Sequence, residues 1–125
     1  MNLALRFGMA ASLAVSAASH AVLYVHGYRE IPVIGPGFLV QASVFAALAV
    51  LIAVGGPSWL WGVAMLASAG SLIAFSLSRT VGLFGFTERG WQPAPHAAIS
   101  VGAELLTLVL FLAVALRAWR SPSRR

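Results

Sequence analysis

HAAISVGAELLTLVLFLAVALRAW, His96 to Trp119, is the stretch whose reading decides the fold. A helix of about 20 apolar residues crosses the hydrocarbon core of a bilayer. From Ala97 to Leu116 this run carries a single charged side chain, Glu104. Working outward, three more segments of the same kind precede it, at about residues 3–27, 38–54 and 59–78. The breaks between them carry turn chemistry: GYREIPVIGPG (Gly27–Gly37), GGPS (Gly55–Ser58) and TERGWQPAP (Thr87–Pro95). Ser58 is placed to cap the third helix and Pro95 to open the fourth, which is expected to end near Trp119.

Composition sets the same class. The chain has 125 residues, 60% hydrophobic and only 9% charged, with a mean hydropathy of +0.91. A soluble domain carries roughly a quarter charged residues, so this chain lacks the polar side chains to cover a water-facing surface. The expectation is an all-α, integral membrane four-helix bundle, a single transmembrane domain over residues 1–125. Arg6, the apolar run and SHA (Ser19–Ala21) also fit a signal peptide. The run continues through Val25, however, and a retained first span is the expectation.

All eight basic residues are Arg and all three acids are Glu. The net charge of +5 would suit nucleic acid, but Arg also collects where a membrane chain meets the cytoplasm. The tail places Arg117, Arg120, Arg124 and Arg125 together without an acid, and Arg6 precedes the first span. Four spans then put both termini in the cytoplasm of a cell-membrane protein, with two structured loops outside. Those loops hold Arg29 with Glu30 and Glu88 with Arg89, and Arg79 lies at the outer end of span three. Trp59, Trp61 and Trp119 fall near the inner interface, Tyr28 and Trp91 near the outer one, as in aromatic belts. The long 82–96 stretch, with Phe84, Phe86 and Trp91 among polar residues, is expected to fold back over the bundle mouth.

Polar groups inside the spans are costly and by default raise a functional hypothesis. Glu104 lies eight residues into span four, roughly 12 Å down at the helical rise. His20, Ser43 and Ser71 fall at similar depths in the other spans, so each helix offers one polar group to a layer beneath the outer surface. His96, Ser100 and Glu104 share one helical stripe, as do His20, Tyr24 and Tyr28. If the stripes face each other, His20 pairs with Glu104 below, and Tyr24 lies near His96 above. The bland reading is that Glu and His hydrogen-bond inside the bundle and fix its packing. The candidate buried layer is therefore His20, Ser43, Ser71 and Glu104. The candidate outer mouth is Tyr24, His26, Arg29, Glu30, Arg79, Glu88, Trp91 and His96.

The sequence excludes much chemistry. Without Cys there are no disulfides or thiolate sites, and without Asp no Asp-based triad. No phosphate loop, HExxH or GxSxG occurs. No cofactor is expected; a haem or metal would have to use His26 with His96 near the outer surface, or a small-metal site using a Glu. The expected partner is the lipid bilayer, with another membrane protein or a second copy as further options, and no nucleic acid.

The phrases HGYREIPVIGPGFLVQ (His26–Gln41) and RTVGLFGFTERGWQPAP (Arg79–Pro95) resemble those of uncharacterised small four-helix membrane proteins of GC-rich Gram-positive bacteria. That resemblance implies a bundle and carries no activity. In length, span number and one embedded Glu the chain is also similar to the small multidrug resistance transporters, but their Glu lies in the first span and this one in the fourth. Three functions follow. The first is a non-enzymatic accessory or assembly subunit or binding module with an outward polar mouth. The second is an oligomeric proton-linked transporter using Glu104. The third is a membrane enzyme or redox protein acting on a lipid-soluble substrate.

Overall fold

The computed structural model describes residues 2–121, so Arg124 and Arg125 of the basic tail lie outside the described residues. It is all-helical: α1 (Leu3–Val25), α2 (Ile34–Ala53), α3 (Trp59–Arg79) and α4 (His96–Arg120), with a 3-10 turn at Tyr28–Glu30. Each of the four helices is long and apolar enough to cross a membrane, which makes this a multi-pass membrane protein. The apolar outer faces agree, since Leu66 and Val109 are 67% and 61% exposed on them.

Several boundaries differ from the sequence reading. Helix α2 begins at Ile34, four residues before the expected Phe38, and takes in the Gly-Pro-Gly run. Pro36 is harmless there, because first-turn N–H groups have no intrahelical partner to lose. Helix α1 stops at Val25, where the His26 N–H still reaches the Val22 carbonyl. Gly27, with φ of 134°, then redirects the chain. Ser58 precedes α3 but makes no side-chain cap; its backbone is already helical and its carbonyl accepts from Trp61 N–H. At α1 a cap does form: the Ala4 N–H donates to Asn2 Oδ1 at 2.7 Å.

Helix α1 is central, packed against α2 and α4, while α3 leans on α4 and touches α2 only sparsely. The termini and the 54–58 turn share one end of the bundle, as Arg6 lies beside Gly55 and a groove joins Asn2 and Leu5 to Arg117. The 26–33 and 80–95 segments form the other end, called here the loop end. The dry core sits in the terminal half: Met9, Leu13, Phe45, Leu48, Ile52, Leu60, Trp61 and Ala64 form one cluster. Lipid tails are as apolar as these side chains, so burial itself adds little in a bilayer. Close packing and interhelical hydrogen bonds must hold the bundle.

Candidate functional site

Toward the loop end the interior changes from apolar to polar. Glu104, only 1% exposed, is the hub of a cluster drawn from all four helices. Its Oε1 accepts from Ser16 Oγ of α1 at 3.1 Å, Gln41 Nε2 of α2 at 3.0 Å and Ser71 Oγ of α3 at 2.6 Å. Gln41 Nε2 also donates to Ser71 Oγ at 2.6 Å, which ties α2 to α3 where their contact is thin. One turn nearer the dry core, the hydroxyls of Ser12 and Thr107 share a hydrogen bond at 2.7 Å.

On the loop side of this hub lies a cavity of about 80 Å³. His20, Gln41, Ser71, Ser78 and Arg79 are its polar walls in the helices, and Phe38, Phe75 and Phe86 are among its aromatic ones. His20 Nδ1 lies 2.8 Å from the Ser16 carbonyl oxygen. A carbonyl only accepts, so Nδ1 carries the hydrogen, and in the neutral ring Nε2 is an acceptor. The His20 ring packs edge-on against Phe38 with centroids 4.9 Å apart. Nε2 of His20 and Oε1 of Gln41 have no partner among the described residues. Neither belongs to the buried polar atoms sealed off without one, which are Arg6 Nε and Ser68 Oγ.

The 80–95 segment roofs the cavity. Arg79, at the end of α3, holds it: Nε donates to the Gly90 carbonyl at 3.1 Å, Nη2 to the Gln92 carbonyl and Nη1 to Ser78 Oγ at 2.6 Å. Its guanidinium also lies 4.0 Å from the centre of the Phe75 ring. The Glu88 N–H donates to the Ser78 carbonyl, and Glu88 Oε2 accepts from the Tyr28 hydroxyl at 3.0 Å. Tyr28 in turn stacks on Phe38 and meets Phe86 edge-on. Burial, then the bond to Glu88 and its charge, push the Tyr28 phenol up to about 12. Leu83 and Phe86 close a tight turn through Phe84 and Gly85, both at positive φ. That geometry suits Gly85 and is strained for Phe84.

The residues singled out from sequence are thus brought together unevenly. Glu104 and Ser71 meet directly. His20 does not bond Glu104; it lines the cavity one turn above Ser16, the α1 residue that does. Ser43 is exposed on the outer face, its hydroxyl turned back to the Leu39 carbonyl, and the α2 member of the cluster is Gln41. At the mouth, Arg79 and Glu88 build the roof, and exposed Trp91 lies against Phe75. Arg29 and Glu30 pair with each other in solvent at 3.0 Å, and His26 bonds only its own helix at Val22. Tyr24 and His96 are half-buried, and neither lines the cavity. Among the described residues no three His, Asp or Glu gather as a metal site. Set beside known protein families, curated proteins and solved structures, the chain matches none.

Proposed function

We propose that the chain is a small non-enzymatic protein of the cell membrane, both termini cytoplasmic, that works as a binding module with its loop end facing outward. Arg6, Arg117 and Arg120, with Arg124 and Arg125 of the tail, support this orientation by the positive-inside tendency. One observation carries the binding reading: the roofed cavity, apolar apart from a few polar groups, is blind. It ends on the Glu104 cluster, and beneath it the bundle is filled by the dry cluster of Met9, Leu13, Phe45, Leu48, Ile52 and Trp61. A pore or exchanger needs polar groups on to the other face, whereas a receptor needs only a walled chamber with few polar contacts. No cofactor is required for such a role, and the bilayer is its first partner.

Because the chain has no Cys, single thiols can be introduced into an otherwise unaltered protein. Ala74→Cys, in the cavity wall, should react with a membrane-impermeant methanethiosulfonate added from outside and not from the cytoplasmic side. Ala64→Cys, in the dry core, should react from neither. Reaction of Ala74→Cys from both sides would replace the binding reading with a proton-linked transporter built on Glu104.

A further inference from the structure

The hydrogen-bonding capacity of the cavity selects among ligands. The donors of its inner walls are already used. Gln41 Nε2 serves Glu104 and Ser71, Ser71 Oγ serves Glu104, and Ser78 Oγ serves the Phe75 carbonyl. Arg79 commits three of its five N–H groups, one on each nitrogen, to protein acceptors, and the Tyr28 hydroxyl hydrogen is given to Glu88. What remains is a pair of acceptors, His20 Nε2 and Gln41 Oε1. A ligand that fits must therefore bring donors of its own. Beside His20, Gln41 and Ser71, whose donors are all spent, an ether or ketone head finds nothing to bond.

Size and access narrow the class further. A cavity of about 80 Å³ has room for a short polar head. The remaining walls are mostly apolar or aromatic, including Leu23, Ile34 and Phe38, and the cavity reaches the seam between α2 and α3, whose contact is sparse. A short polar head can enter while an attached apolar chain stays in the seam and the surrounding lipid. Resting on the binding reading above, we infer that the cavity holds the hydroxyl end of a lipid-soluble alcohol, a 1,2-diol fitting better than a single hydroxyl. One hydroxyl donates to His20 Nε2, and the second of a diol donates to Gln41 Oε1.

The test uses the full chain in phosphatidylcholine nanodiscs with ¹⁵N-labelled histidine, titrated with 1,2-decanediol, 1-decanol, decyl methyl ether and decylamine. Affinities are read as mole fractions in the bilayer, so differences in partitioning cancel. The diol and the alcohol should shift the His20 Nε2 resonance, each hydroxyl strengthening binding about fivefold, and the ether should leave it in place. His20→Phe keeps the ring contact with Phe38 and should lose about fivefold for the alcohol, read from a photoactivatable diazirine analogue of 1-decanol. An ether that binds as well as the alcohol, or an amine that binds more tightly, overturns the assignment while leaving the chamber intact. No shift with any probe also overturns it; if Ala74→Cys is reactive in the same preparation the chamber reading survives, and if it is inert both fall.

Discussion

Replacing Glu104 by Leu tests whether one acceptor atom holds the four helices together. The two side chains are close in volume, so the change removes the acceptor without opening a large cavity. Three donors converge on Oε1, at 2.6, 3.0 and 3.1 Å. Interhelical hydrogen bonds in membrane bundles average about 0.6 kcal/mol and reach about 1.7. Three average bonds come to roughly 2 kcal/mol, with the short Ser71 bond toward the upper end. The freed serine hydroxyls can turn back to their own helices, as Ser43 and Ser76 do to Leu39 and Leu72, so the loss should not greatly exceed that sum. Glu104→Gln keeps an acceptor oxygen in place and should lose less than about 1 kcal/mol, one such bond. Reversible unfolding in dodecyl maltoside with increasing SDS, followed by far-UV circular dichroism, measures both variants. A Leu variant as stable as the parent would show that the cluster does not hold the bundle. Equal losses for Gln and Leu would show that the acid matters as an acid rather than as an acceptor.

Other consequences are as direct. The Tyr28 phenol is raised to about 12 from an ordinary value near 10, so the folded state keeps its proton while the unfolded chain loses it. Its stabilising effect is complete below pH 10 and disappears as pH rises toward 12; the difference between ultraviolet titrations of the parent and Tyr28→Phe should show the late phenol, and a midpoint at 10 would contradict it. Arg79→Lys lacks the planar fork that bonds Gly90, Gln92 and Ser78 together, so amide exchange over 86–92 should accelerate about tenfold, as expected for a loss near 1.4 kcal/mol, with the helices unchanged. Gly35→Ala places a Cβ 2.5 Å from the Arg29 carbonyl oxygen and 2.7 Å from that of Tyr28, both backbone atoms that cannot swing aside. The turn must lift, and the Tyr28 phenol should then titrate nearer 10; an unchanged titration would place the turn elsewhere.

The four helices were legible because a span is written in composition over some twenty residues, which no single position can blur. The matching levels of Glu104 and Ser71 were legible too, since helical rise fixes them. What failed was register. With α1 ending at Val25 instead of Gly27, His20 rises about 3 Å toward the loop end, and Ser16 takes the level of Glu104. In α2, depth favoured Ser43, but depth says nothing about which way a side chain points. The signal for Gln41 was present in the spacing: Gln41, Phe45, Leu48 and Ile52 recur at four, three and four residues, the interval of one helical face. Gln41 is the sole amide in that helix, while Ser43 lies on the opposite face. The second span is apolar on every side, so hydrophobic contrast could not choose between them. The roof formed by residues 80–95 rests on backbone carbonyls of Gly90 and Gln92, acceptors that every residue possesses and that no sequence pattern marks.

The division of the interior also explains why the cavity lies where it does. Helix α3 is the least supported of the four, resting on α4 and barely on α2. In the terminal half Leu60, Trp61 and Ala64 lock it into the dry cluster. In the loop half those contacts give way to Ser71, which joins α3 to both α2 and α4 through Gln41 and Glu104. Above Ser71, α3 is tied to the roof by Arg79, and its contact with α2 is sparse. Glu104 therefore acts from behind the chamber: it holds Gln41 and Ser71, which line its inner end, while the chemistry offered to a ligand belongs to His20 and Gln41.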